Sequence, residues 1–314
     1  VQDSRLLALA AALLVLCAAF LTLGAQGDWG FILTWRGARL AALLVVGTAV
    51  AVATVLFQTV SSNRILTPSV MGFDALFVLL QTGLVFSLGG VGAAALPATA
   101  RFALEGGLLM GAGLLLFGTL LGSRRPDLHR MVLTGLILGV LFRSLAGFLQ
   151  RLIDPNDFVV AQASSFASFG AVDTELLGLA ALLSAAAAAG AWVMRHRLDV
   201  LALGRDTAVG LGLDHRRAVL LVLVLVAALV SVSTALVGPV TFFGLLVTAL
   251  AHRLMRTHRH ALLLPAAALI AGITLVGGQI VVERLLGLTA TLGVVVEFLG
   301  GLAFLLLVLK EPQR

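Results

Sequence analysis

Residues 218–251 read AVLLVLVLVAALVSVSTALVGPVTFFGLLVTALA and contain no charged side chain. A helix needs about 20 apolar residues to cross the roughly 30 Å hydrocarbon core of a bilayer, so this run is too long for a single crossing. Gly238-Pro239 stands in its middle, and such a pair breaks a helix. The run therefore predicts two crossings, the second of them short or partly re-entrant.

The same pattern extends in both directions. Apolar segments fall near 6–25, 36–58, 73–91, 102–122, 130–150, 172–194, 216–236, 241–255, 261–281 and 290–310. The first follows Arg5, is longer than the apolar core of a signal peptide, and is succeeded by more spans, so it is expected to be a membrane helix. The expected fold is all-α: a polytopic bundle of about ten transmembrane helices, forming one membrane domain over residues 1–314. Hydrophobic residues make up 60% of the chain and charged residues 11%, which excludes an ordinary soluble domain.

Charge placement orients the bundle. Of the 21 basic residues only Lys310 is a lysine. With a cytoplasmic N-terminus, fifteen of them fall in inner segments, among them Arg5, Arg64, Arg124, Arg125, Arg130, Arg253, Lys310 and Arg314. Five fall outside: Arg36, Arg39, Arg101, Arg151 and Arg284. Arg143 lies within the fifth span. The bias matches the excess of basic residues on the cytoplasmic side of membrane proteins and places both termini inside. It also explains the high pI without nucleic acid, since the arginines cluster at span ends and form no continuous basic face.

Several chemistries are excluded. A GxxxxGK[ST] phosphate loop needs its lysine, and Lys310 stands between Leu309 and Glu311. ATP hydrolysis on that motif must therefore come from elsewhere. Cys17 is the only cysteine, which rules out a disulfide framework and makes it a small apolar core residue. His252, His258 and His260 sit among arginines and read as cytoplasmic charge rather than a metal site. No cofactor is implied. Asp74, Arg143 and Glu297 are ionisable groups at or within spans, where such groups pair with one another or line a cavity. Small residues four apart, as in Gly107–Gly111 and Gly135–Gly139, permit close helix packing.

Two hydrophilic interruptions stand out. Residues 59–72 read TVSSNRILTPSVMG, rich in breakers. Residues 195–217 read RHRLDVLALGRDTAVGLGLDHRR; the middle is apolar enough for short helices but too polar to span. A short helix at the cytoplasmic surface serves either as a docking element or as an inert interfacial segment.

Several motifs together resemble the permease subunits of ATP-driven importers for iron chelates and cobalamin. They are Arg36-Gly-Ala-Arg39 opening the second span; Gln58, Asn63, Pro68 and Gly72; and Leu203-Gly204-Arg205-Asp206-Thr207-Ala208-Val209-Gly210-Leu211-Gly212. The most specific is GPVTFFGLLV at 238–247. The common family form has Leu-Pro, Asn-Pro-Leu and Pro-His where this chain has Gly37-Ala38, Asn63-Arg64 and Thr248-Ala249. The stretches QTVSSNRILTPSVMGFDAL and STALVGPVTFFGLLVT are instead similar to ferric-siderophore permeases of the anguibactin and petrobactin type.

The resemblance implies ten helices, a translocation path between two permease subunits, separate ATPase subunits, and a binding protein that delivers the ferric siderophore. The pair of permeases is expected to be two different homologues, the homodimer being the alternative. Leu203, Gly204, Arg205, Asp206, Ala208, Gly210, Leu211 and Gly212 would couple to the ATPase, and Arg36, Arg39 and Arg284 would meet acidic residues of the binding protein. For the three arginines the other reading is helix-end anchoring by snorkelling. Rival functions are an ion-coupled secondary transporter, which needs an essential buried acid and no ATPase, and a permease of the same family for cobalamin or haem. An intramembrane enzyme would need a nucleophile–base pair at membrane depth, and none is recognisable.

Overall fold

A computed structural model describes residues 2–24, 29–121, 128–170, 173–284 and 292–310. Arg124, Arg125 and Arg314 lie outside the described residues, as do the side chains of Arg130 and Lys310.

Among the described residues ten long helices run where the apolar segments lie. They are α1 (Gln2–Thr22), α2 (Trp29–Ser61), α3 (Phe73–Ala95), α4 (Ala98–Leu121), α5 (Leu128–Gln150), α7 (Thr174–Val193), α10 (His215–Val237), α11 (Phe243–Met255), α12 (His260–Arg284) and α13 (Leu292–Lys310). Eight are long and apolar enough to cross a membrane, while α11 and the described part of α13 are shorter. At 13 residues α11 rises only about 20 Å. The break before it is where the sequence puts it: Gly238 ends α10 with φ 95°, and Pro239 follows. The remainder of this return is non-helical backbone at 238–242.

Three short helices lie between the long ones: α6 (Pro155–Ser164), α8 (Arg195–Leu201) and α9 (Arg205–Gly210). The first is absent from the hydropathy pattern, although Asp154-Pro155 is a start signal. The Asp154 side chain caps the helix by accepting from the Asn156 N–H at 3.0 Å, and proline occupies the first helical position, where its missing N–H costs nothing.

The centre of the bundle is α2, which packs against α12, α10, α7 and α11. Its buried residues are small or branched: Ala42, Val46, Ala49, Ala53 and Leu56 are fully enclosed. Helix association in lipid gains little from the hydrophobic effect, so close backbone approach supplies the packing. At Gly244 of α11 a side chain would run into Thr54 of α2. At Gly72 a Cβ would come within 3.0 Å of the Gly139 backbone on α5. Gly72 must stay glycine for a second reason, its φ of 95°.

Polar contacts define two ends. At one end Arg5 donates to the Leu254 carbonyl, Arg64 meets His258, and Asp199 holds His260. These residues mark the basic end of the bundle. At the opposite end Arg36, Arg39 and Arg284 gather around the finish of α1 and the start of α2.

Gly244→Leu should overpack the α2–α11 crossing by about 1–3 kcal/mol and lower the melting temperature of the detergent-solubilised protein. Gly178→Ala, where nothing lies within 4 Å, should leave it unchanged.

Candidate functional site

The basic end carries the α8–α9 element. Gly204 enters α9 at φ 90°, ψ 167°, a region open essentially to glycine alone. At the other end of α9 the Leu213 N–H donates to the Ala208 carbonyl and the Gly212 N–H to the Val209 carbonyl, both at about 3 Å. With Gly212 at φ 82°, this pair of bonds forms a Schellman cap. Gly210, by contrast, keeps an ordinary helical backbone. Asp206 sits in the first turn of α9, where the helix dipole favours an acid. Ala208 is fully buried and fixes α9 to the bundle. Leu203, Val209 and Leu211 point outward with 59%, 55% and 63% of their surface exposed, and Arg205 is exposed beside them. Three exposed aliphatic side chains on one short element form an apolar patch bordered by charge, the pattern of a protein contact.

The element is tied inward by a partly buried chain of hydrogen bonds. Asp199 of α8 accepts from both the main-chain N–H and Nδ1 of His260, each at 2.7 Å. The other ring nitrogen of His260 lies 2.8 Å from the Thr59 hydroxyl on α2. His260 is 2% exposed, so it is no surface charge, contrary to the sequence expectation for this histidine cluster. Its imidazole joins α8, α12 and α2 at one point. Beside it a chamber of about 220 Å³ is lined by Gln58, Arg64, His252 and His258 among others. Gln58 spans α2 and α11 by donating to the Thr248 hydroxyl at 3.1 Å and to the Arg64 carbonyl. Thr248, one of the departures from the common family form, thus has a definite partner.

At the opposite end the three outer arginines are all engaged. Arg36 donates to the carbonyls of Phe20, Leu21 and Leu23. Arg284 donates to the Leu23 carbonyl as well. Together they satisfy the orphan carbonyls at the end of α1 and complement its dipole. Arg39 pairs with Glu283 at 2.8 Å, donates to the Phe169 carbonyl at 3.2 Å, and stacks on Trp35 at 5.1 Å. Arg36 and Arg39 are half-buried, while Arg284 is exposed.

Between the two ends lies a third polar group. Pro68 and the short 3-10 turn at Ser69–Met71 bring Gly72 against Gly135 and Gly139 of α5. Those glycines stand about 10–16 Å along α5 from its basic end. Asp74 is in the first turn of α3, at the span start as the hydropathy profile implied, but that start is half-buried beside α5 rather than open to water. It faces the hydroxyls of Ser69 and Thr241, and the charges of Glu297 and Arg143 act on it. Thr241, within the GPVTFF stretch, also bonds Glu297 at 3.4 Å. The three intramembrane ionisable residues, far apart in sequence, thus share one neighbourhood.

The comparisons with known proteins agree with this architecture. The profile of the FecCD transport family matches residues 6–310. The petrobactin import system permease protein YclO of Bacillus subtilis is 40% identical, over 99% of both chains. The petrobactin permease FatC of Bacillus anthracis is 30% identical, over 88% of this chain and 78% of its own. The fold superposes on an inward-facing metal-chelate type ABC transporter with a TM-score of 0.86 and 22% identity, covering 99% of this chain and all of the other.

Asp199→Ala would strand two buried donors of His260, a loss of about 1–3 kcal/mol. It should lower the thermal stability of the purified protein clearly more than Asp206→Ala, whose side chain is exposed. With its fold, its breaks and its profile match in agreement, the chain belongs to the FecCD transport family.

Proposed function

We propose that this chain is the membrane permease of an ATP-driven importer that carries a ferric siderophore into the cytoplasm by alternating access. The observation that carries this assignment is the 40% identity to a petrobactin permease along essentially the whole of both chains. ATP hydrolysis belongs to a separate subunit, and the family implies that ATPase, a second permease and a substrate-binding protein as partners. The basic end, with both termini, faces the cytoplasm of the cell membrane, in keeping with the charge bias. Two different homologous permeases form the pair.

In this scheme the ATPase grips α8–α9 through Leu203, Arg205, Val209 and Leu211, while Gly204 and Gly212 set the angles at which α9 enters and leaves. Movement of α8 is passed through Asp199 and His260 to α12 and α2, the helices that hold the bundle together. At the opposite end Arg36, Arg39 and Arg284 present positive charge to the binding protein. A guanidinium has five donors, so an arginine already bonded to a carbonyl retains others for an acidic partner. Complementary charge there sets orientation and encounter rate more than affinity.

Two substitutions test the two ends. Gly212→Val forces a branched residue into the left-handed cap, a cost of roughly 1–2 kcal/mol, and should tilt or unwind α9. Binding-protein-stimulated ATP hydrolysis should then no longer drive uptake, or the ATPase should fail to copurify. Unchanged uptake with the ATPase still bound would contradict the coupling role. Arg284→Glu should weaken capture of the binding protein, and an acid-to-base change on that protein should restore part of it. Lost expression without such rescue would leave helix-end anchoring as the whole role of this arginine.

A further inference from the structure

Arg143 is an exposed cation on α5, seven residues before the helix ends at Gln150. That puts it about 10 Å below the end of the helix. Among the described residues it forms no ion pair. Arginine in hydrocarbon is costly, and such a residue ordinarily faces a bundle interior or a water-filled cavity.

The geometry says which. The packed face of α5 is Gly135, Leu138, Gly139, Phe142 and Ala146: Gly135 and Gly139 meet the 3-10 turn, Leu138 and Phe142 border a small cavity with Phe73, and Ala146 is buried. At 100° per residue Arg143 stands at one edge of that face, while Ile137, Leu141 and Phe148 point away on the broad apolar side. The charges of Arg143 and of Glu297 both act on Asp74. Glu297 is five residues into α13, about 8 Å below the start of that helix, and is itself partly exposed. Arg143 and Glu297 thus each stand about 8–10 Å within their own helices, with Arg143 acting on Asp74 and Glu297 bonded to Thr241. A cluster that joins both charge signs with hydroxyls and opens at the bundle surface has the character of a wet wall. The side of α5 turned away from the packed face is mainly aliphatic and aromatic, with Thr134 and Ser144 as its exposed polar residues.

We propose that Arg143 stands in the aqueous translocation path and contacts the anionic oxygen donors of the ferric chelate as it enters, with Asp74 and Glu297 holding the guanidinium's surroundings polar. This deepens the function proposed above and rests on it. Ferric iron is bound by negatively charged hydroxamate, catecholate or carboxylate oxygens, and a guanidinium meets such oxygens with paired donors. Arg143 is then a specificity residue for chelate charge, placed just below the site where the binding protein releases its cargo.

The test uses the assembled transporter with Arg143→Cys in a Cys17→Ala background, reading this chain alone. A small membrane-impermeant methanethiosulfonate should label position 143 and leave Leu141→Cys unlabelled. Uptake of an anionic ferric chelate should fall by roughly tenfold or more, the usual weight of a charged hydrogen bond. Attachment of an ethylammonium group should restore much of that uptake, and attachment of an ethylsulfonate group should not. Absence of labelling at 143, or the same response to both reagents, would overturn the proposal. Failure of the unsubstituted transporter to take up any ferric chelate would instead overturn the function assigned above. Labelling that is absent in a transporter that does take up the chelate counts against Arg143 alone.

Discussion

Hydrocarbon cannot hydrogen-bond a peptide group, so non-helical backbone is admitted at membrane depth only where protein encloses it. The bundle depends on this constraint. Its interruptions at 165–170 and 238–242 pack against each other, and the turn at 69–72 packs against α5. The Ser168 N–H donates to the Val237 carbonyl at 2.7 Å, satisfying the end of α10. Gly238 and Gly293 both press on Ala167, and Gly300 presses on Phe242. Glycine recurs here because the backbones must touch for their polar groups to be covered.

The same enclosure gathers polar side chains that the helices alone would keep apart. Breaking α10 before α11 brings Thr241 to Glu297, and folding 68–72 against α5 brings Asp74 to both. At the basic end His260 ties the short surface helix α8 to α12 and α2. Through the buried His260 ring, α8 is thus bonded directly to the central helix rather than joined to it by an exposed loop alone. At the opposite end the arginines cap α1 and cross-link α2 to α12 through Arg39 and Glu283. Both ends are braced, and the polar group lies between them.

Much of the architecture was legible in the sequence because the bilayer imposes a length on each helix. Ten apolar segments became ten long helices among the described residues, and Gly238-Pro239 broke the long run where breakers must. The short helices in 195–217 followed from a stretch too polar to span, and Gly204 and Gly212 turned out to hold backbone angles other residues avoid. What stayed hidden was contact between distant segments. Hydropathy put Asp74 at a span start, where it is, and only the packing of Gly72 on Gly139 shows that this start is covered by α5. His260 looked like one more basic residue among Arg253, Arg256 and Arg259, because nothing local announces its pairing with Asp199, 61 residues away. The carbonyl and carboxylate partners of Arg36 and Arg39 were hidden as well, because they lie on other segments. Helix α6 had a local signal, the Asp154-Pro155 pair, but a mostly exposed ten-residue helix leaves little trace in a profile tuned to spans.

The central claim is that transport is driven by ATP through a separate subunit and moves a ferric chelate. The most direct measurement is accumulation of iron-55 siderophore in proteoliposomes holding this chain, its partner permease and the ATPase, with loaded binding protein outside and ATP within. Accumulation should require ATP and the binding protein, stop when the ATPase is catalytically disabled, and persist when proton and sodium gradients are collapsed. Accumulation without the ATPase, driven by an imposed ion gradient, would contradict the central claim and make the protein a secondary transporter.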